Sequence, residues 1–185
     1  MNIASIKVCD TANGPGIRTS VFVSGCRRHC KDCFNEIAWD FDYGVPFTDD
    51  TLNCIIDTIR CPETAGISIL GGEPFEPENV SEIYRLVGSI KLLTDRSIWI
   101  YSGYTFEELL KRGTEADSNT GERIPVNDTG LILYLADVLV DGPFISELKD
   151  ITLDFRGSSN QRIIDVRKSL DAGEVVLYKL PARAH

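Results

Sequence analysis

At 185 residues and 43% hydrophobic content, the chain is long enough for one compact domain, residues 1–185, with a full core. No apolar run approaches the ~20 residues of a membrane-spanning helix, and Met1-Asn2-Ile3-Ala4-Ser5 leads into polar sequence with no evident signal peptide. The formal charge of −9 argues against a non-specific nucleic-acid binder, and six cysteines form no dense disulfide framework, so a cytoplasmic protein is expected.

In chain order, a strand is expected at residues 5–8, followed by the turn Asn13-Gly14-Pro15-Gly16-Ile17-Arg18. The alternating, β-branched run at 19–24 predicts a strand that Gly25 closes. Residues 49–60 predict a helix with Leu52, Ile55, Ile56 and Ile59 on one face. A strand at 66–70 ends in Gly71-Gly72-Glu73-Pro74, and a helix from 77 to 93 opens on a proline. After a strand at 97–101, Thr105-Phe106-Glu107-Glu108 has the pattern of a capping box and announces a third helix. Residues 113–123 are polar, Gly-punctuated and without periodicity, which predicts an exposed loop or insertion. Further strands are expected at 137–140, 161–166 and 174–178. This alternation favours an α/β fold with a parallel sheet. A closed eightfold barrel takes ~250 residues, so an incomplete TIM-type barrel with one open side is expected.

The densest chemical signal is Cys26-x3-Cys30-x2-Cys33. Three thiolates at this spacing can hold three irons of a cubane cluster and leave the fourth open to a small molecule. Offsets of 0, 4 and 7 also fit a buried helical stripe, but the segment follows a strand and a glycine, as a loop does. Structural zinc is the stronger competitor; it wants four ligands, and no second C-x2-C pair exists. His29, beside Cys30, would point away. Arg27, Arg28 and Lys31 lie between the cysteines, where cations favour thiolates and could guide an acidic electron donor.

Gly71 and Gly72 at the carboxyl end of a strand allow close backbone approach to a ligand, and Glu73 offers a carboxylate to an ammonium group; taken alone, the segment reads better as a tight glycine turn with a surface glutamate. Asp141, at the end of the 137–140 strand and before Gly142-Pro143, faces the same rim if the strands are parallel. Residues 156–162, Arg-Gly-Ser-Ser-Asn-Gln-Arg, have the composition of a functional loop and equally of an ordinary turn.

Taken together, the cysteine triad and Gly-Gly-Glu-Pro resemble the radical S-adenosylmethionine enzymes. Gly14-Pro15-Gly16-Ile17-Arg18, Cys33-Phe34-Asn35 and Trp39-Asp40 narrow the resemblance to the glycyl-radical-enzyme activases. Tyr101-Ser102-Gly103-Tyr104-Thr105, Val140-Asp141-Gly142-Pro143-Phe144 and residues 156–163 point to the branch that acts on an anaerobic ribonucleoside-triphosphate reductase, with pyruvate formate-lyase the alternative partner. The resemblance implies a [4Fe–4S] cluster on Cys26, Cys30 and Cys33, and S-adenosylmethionine that chelates the open iron through its amino and carboxylate groups. It implies Gly71, Gly72 and Glu73 around the methionine amino group, Asp32, Cys33 and Phe34 near the adenine, and Asp141 near the sulfonium. Reductive cleavage would give a 5′-deoxyadenosyl radical that takes hydrogen from a glycine of the reductase large subunit, with a low-potential donor such as flavodoxin supplying the electron. Two positions depart from the pattern: Asp32 stands where many such enzymes carry an aromatic residue, and Asn13 stands where the formate-lyase activases carry a cation-binding aspartate.

Overall fold

The computed structural model of the chain describes residues 1–181. Along them run β1 (Asn2–Asp10), β2 (Ile17–Val23), β3 (Val45–Pro46), α1 (Asp49–Ile59), β4 (Thr64–Gly71), α2 (Pro77–Leu93), β5 (Ser97–Tyr101), α3 (Phe106–Gly113), β6 (Thr114–Ala116), β7 (Arg123–Pro125), α4 (Asp128–Leu135), β8 (Val138–Asp141), β9 (Arg162–Asp165) and α5 (Val166–Ala172). Seven strands form one sheet in the order β3-β1-β2-β4-β5-β8-β9. β2, β4, β5 and β8 are parallel neighbours, whereas β1 and β9 pair antiparallel at either side. The fold is α/β, with a mixed sheet where an all-parallel one was expected.

Strand alternation separates the two faces of the sheet. Val21, Val23, Ile67, Ile69, Ile98, Ile100 and Leu139 join the helix residues Ile55, Ile59, Ile83, Leu86, Ile90, Leu109 and Ile132 in the main core. Their neighbours Trp99, Val138, Val140 and Ile163 form a second, smaller cluster with Tyr101, Phe155, Tyr178 and Leu180. The second face is also where polar side chains are buried. Arg18 is 1% exposed and donates to Ser68 Oγ (2.8 Å), Ser97 Oγ (3.1 Å) and the carbonyls of Ile67 (2.7 Å) and Ser97 (3.0 Å). Burial pulls its pKa down to about 10, but those acceptors and the Trp99 ring, 5.4 Å away, take the place of water. This gives the Gly-Pro-Gly-Ile-Arg motif a structural role. Arg18→Met strands four acceptors, and urea unfolding is expected to show a loss of about 3 kcal/mol; an unchanged midpoint would contradict it.

Local chemistry sets the helix ends. The Thr48 hydroxyl accepts from Thr51 N at the start of α1, Pro77 opens α2, and Thr105 with Glu108 completes the expected capping box of α3. Three expectations are corrected. Residues 113–123 carry β6 and, with β7, form a hairpin closed by Asp117 Oδ1 accepting from Asn119 N and Thr120 N. Residues 174–178 form no regular strand; only a bridge between Leu177 and Ile164 joins them to β9. Val166 begins α5, because Asp165 caps that helix by accepting from Lys168 N.

Candidate active site

Because β2, β4, β5 and β8 are parallel, the segments leaving their carboxyl ends meet at one rim. β2 delivers the cysteine loop, β4 delivers Gly72 and Glu73, β5 delivers Ser102 and Gly103, and β8 delivers Gly142.

The cysteine loop is not helical. His29 (φ +45°) and Asp32 (φ +57°) are left-handed, so the three cysteines form no helical stripe. Gly25 (φ +90°) leaves room for the Phe41 ring, which a Cβ would meet at 2.2 Å. Cys26 is 8% exposed, and burial pushes its thiol up to about 11; Cys30 and Cys33 are half-buried. His29 turns aside and stacks on Trp39, ring centroids 4.5 Å apart.

Two of the three loop cations hold the loop in place. Arg27 donates to Glu76 (2.9 Å) and Glu78 (2.5 Å) and lies over the Phe41 ring at 4.4 Å. Buried Glu76 also accepts from Arg27 N at 2.9 Å, so the N-terminal end of α2 grips the loop through the loop's backbone and side chain alike. Lys31 pairs with Glu147 at 3.0 Å, and Asp32 accepts from Ser146 Oγ at 2.5 Å. Arg28 alone of the three faces the cavity, with its guanidinium on the Tyr104 ring.

The Gly-Gly-Glu segment is stitched to this loop by backbone. Gly72 N donates to Val23 O (2.7 Å), Glu73 N to Gly25 O (2.8 Å), and Gly71 adopts φ +112°. The close approach that these glycines permit is therefore to the cysteine-bearing chain. Asn79 Nδ2 ties both together, donating to Ser24 O (2.9 Å) and Glu73 O (3.0 Å).

Glu73 is 1% exposed, and burial raises its carboxyl to about 7. Three donors surround it: Oε1 accepts from Phe75 N (3.0 Å) and Ser102 Oγ (2.9 Å), and Oε2 from Gly103 N (2.7 Å). A carboxylate has about four acceptor sites, so these three donors leave one. Ser102 and Gly103 were not singled out as site residues from sequence. Their signal was available: Tyr-Ser-Gly-Tyr-Thr follows a strand whose carboxyl end shares the rim.

These parts enclose a cavity of about 440 Å³, the size of a small-molecule site. Cys26, Cys30, Cys33, Asp32 and Phe34 line it from one side, and Gly71, Gly72 and Glu73 from another. Phe34 is 81% exposed at its edge. The buried Tyr101 hydroxyl on the wall has no hydrogen-bond partner among the described residues. From the 156–162 segment, Arg156, Gly157 and Gln161 reach the cavity. Asp141 sits behind the wall, which Gly142 forms: its carboxylate accepts from Phe106 N (2.8 Å) and pairs with Arg162 (2.5 Å).

Among the described residues, no three His, Cys, Asp or Glu side chains are grouped as the ligands of one metal ion would be. All three thiols line the cavity, and thiolates are the donors that an iron–sulfur cluster takes, one to each iron. The donor set fits such a cluster, and the remaining acceptor site of Glu73 fits a ligand that ends in an ammonium group.

A family described as "4Fe-4S single cluster domain" matches residues 12–164. The chain is 37% identical over 172 residues to the anaerobic ribonucleoside-triphosphate reductase-activating protein of Escherichia coli (strain K12), covering 90% of this chain and 100% of that protein. The protein of the same name from Vibrio cholerae is 37% identical over 166 residues, covering 88% and 97%. That of Enterobacteria phage T4 is 32% identical over 164 residues, covering 88% and 93%.

Proposed function

This chain belongs to the family of anaerobic ribonucleoside-triphosphate reductase-activating proteins, and we propose that it activates such a reductase by radical S-adenosylmethionine chemistry. When bound, a [4Fe–4S] cluster and S-adenosylmethionine supply reductive cleavage to methionine and a 5′-deoxyadenosyl radical, which takes hydrogen from a glycine of the reductase large subunit. The observation that carries the reading is that Cys26, Cys30, Cys33 and Glu73 open onto one cavity.

In this proposal Cys26, Cys30 and Cys33 hold the cluster, while the Arg27–Glu76 contact and the Gly25–Glu73 backbone bond fix the loop that bears them. Glu73, oriented by Ser102 and Gly103, accepts from the methionine amino group beside Gly71 and Gly72. Phe34 offers the adenine an exposed ring, next to Asp32 and Cys33. Asp141 acts from behind the wall, positioning Arg162 and the start of α3. We read the sheet as an incomplete TIM-type barrel forming a single domain; four parallel strands with helix residues packed on one face and the cavity at their carboxyl ends support this. None of the described helices is long and apolar enough to cross a membrane. We place the protein in the cytoplasm, whose thiol poise suits six unpaired cysteines, with a low-potential donor such as flavodoxin supplying the electron.

Anaerobic reconstitution is expected to give a brown protein with about four irons per chain. With reductant and S-adenosylmethionine, it is expected to raise a glycyl-radical signal on the reductase in electron paramagnetic resonance. A signal on pyruvate formate-lyase alone would reject the reductase as partner. A colourless, zinc-loaded protein unable to take iron would reject the enzyme.

A further inference from the structure

Among the described residues Ile151 is the most exposed large apolar side chain, at 89%, and yet it lines the cavity onto which Cys26, Cys30 and Cys33 open. A side chain that meets both conditions sits at the cavity's mouth. Phe34, 81% exposed, meets them from the cysteine loop. Leu148, 41% exposed, stands between Glu147, which pairs with Lys31 of that loop, and Lys149, which lines the cavity. Apolar residues scattered singly over a surface need no explanation, but these border one opening. They also come from two segments tied to each other, by Lys31 with Glu147 (3.0 Å) and by Ser146 Oγ donating to Asp32 (2.5 Å).

The fold holds Ile151 in that position. Residues 142–161 connect β8 to β9, and the connection is braced across its base. Ile145 N donates to Ser158 Oγ (3.2 Å), Asn160 Nδ2 to Pro143 O (2.8 Å) and Gln161 Nε2 to Gly142 O (3.1 Å). At its inner end Phe155 packs edge-on against Trp99, ring centroids 5.8 Å apart. The Arg-Gly-Ser-Ser-Asn-Gln-Arg segment thus fixes the connection whose tip carries Ile151. A braced loop has little freedom left to lose, so its apolar tip can meet a partner at small entropic cost.

The reaction decides which partner covers it. The hydrogen comes from a glycine within the reductase chain, and that chain must pass the mouth to reach the cavity. Glycine has no side chain to grip, so recognition falls on the residues beside it and on what borders the opening. Charges at the border already have partners: Lys31 pairs with Glu147, and Asp150 accepts from Thr152 N (2.8 Å) and Oγ1 (2.7 Å). The exposed apolar side chains there are covered by nothing in this chain.

We propose that Ile151 and Leu148 dock the reductase, receiving an apolar stretch of its chain beside the reactive glycine. The inference rests on the function proposed above and names the surface through which the partner is held. Both residues touch the partner protein and not the cluster or S-adenosylmethionine, so their effect is separable from that of the cavity residues.

The test uses two readouts on one reconstituted preparation, with iron content matched between variants. The first is S-adenosylmethionine cleavage without reductase. The second is glycyl-radical formation on the anaerobic ribonucleoside-triphosphate reductase of the same organism, as its concentration is varied. Loss of one buried isoleucine predicts that Ile151→Ser raises the half-saturating reductase concentration about 10-fold, with the radical yield at saturation unchanged. Leu148→Ser is expected to raise it about 3-fold, since a less exposed side chain has less area to bury, and Ile151→Leu to keep the wild-type value. Cleavage without reductase is expected at the wild-type rate in all three. An unchanged half-saturating concentration in Ile151→Ser overturns the docking role. So does slower cleavage without reductase, which would make Ile151 part of the S-adenosylmethionine site. A shift of Ile151→Ser to a smaller species in sedimentation also overturns it, because a second copy of this chain would then be what covers the patch. Wild-type protein that cleaves S-adenosylmethionine yet raises no radical on the reductase would instead reject the underlying function.

Discussion

Cys30→Ala is expected to abolish S-adenosylmethionine cleavage while leaving the fold almost untouched. The two halves of this result have separate physical causes. Loss of one thiolate leaves two protein ligands for a cluster that needs three, so iron content should fall well below the wild-type level and the remaining iron should yield readily to a chelator. The fold loses little, because Cys30 is half-buried in an irregular loop and its contribution to loop structure is a carbonyl that accepts from Cys33 N at 3.2 Å. That bond survives the substitution. The midpoint of thermal unfolding of the apo protein should stay within about 2 °C of wild type. Cys26 would be a poorer choice: it is 8% exposed, so its truncation also leaves a defect in packing. The measurement is methionine and 5′-deoxyadenosine formed under reducing conditions, and cleavage at the wild-type rate would remove Cys30 from the ligand set.

Features that depend on neighbours in the chain were legible in the sequence. The capping box at Thr105, the proline at the start of α2 and the strand that Gly25 closes all rest on contacts within a few residues. The hairpin of β6 and β7 was not legible, because its strands are three residues each and its turn is held by polar side chains of Asp117 and Thr120. α4 was missed for the opposite reason: Leu131-Ile132-Leu133 is apolar on every side and shows no helical period.

The same division runs through the site. The cysteine triad and Gly-Gly-Glu are contiguous motifs, and both proved to line one cavity. What holds them there is non-local. Ser102 and Gly103 reach Glu73 only because β4 and β5 are adjacent, and Asp141 is paired by Arg162 only because β9 turns back along β8. Arg27 and Arg28 are identical neighbours in the chain, yet one is bound by Glu76 at the N-terminal cap of α2 and the other lies on Tyr104 beside the cavity. Sequence spacing carries no information that separates them.

Gly72→Ala and Gly88→Ala should have opposite signs, and the contrast tests whether the two motifs are truly one site. At Gly72 a Cβ would lie 2.5 Å from Gly25 O and 3.0 Å from Ala38 O. Both are backbone atoms, so relief requires the cysteine loop to move away from β4. That motion breaks or lengthens the bonds from Gly72 N to Val23 O and from Glu73 N to Gly25 O. A loss of about 3–4 kcal/mol is expected in denaturant unfolding, with loss of both cluster retention and S-adenosylmethionine binding. At Gly88, inside α2, a Cβ would meet nothing within 4 Å. Alanine there removes backbone freedom from the unfolded chain at no steric cost, so stability should rise by about 0.5–1 kcal/mol with cluster and ligand binding unchanged. If Gly72→Ala keeps wild-type stability and cluster content, the tight backbone seam between the Gly-Gly-Glu segment and the cysteine loop is not what positions Cys26, Cys30 and Cys33 against Glu73.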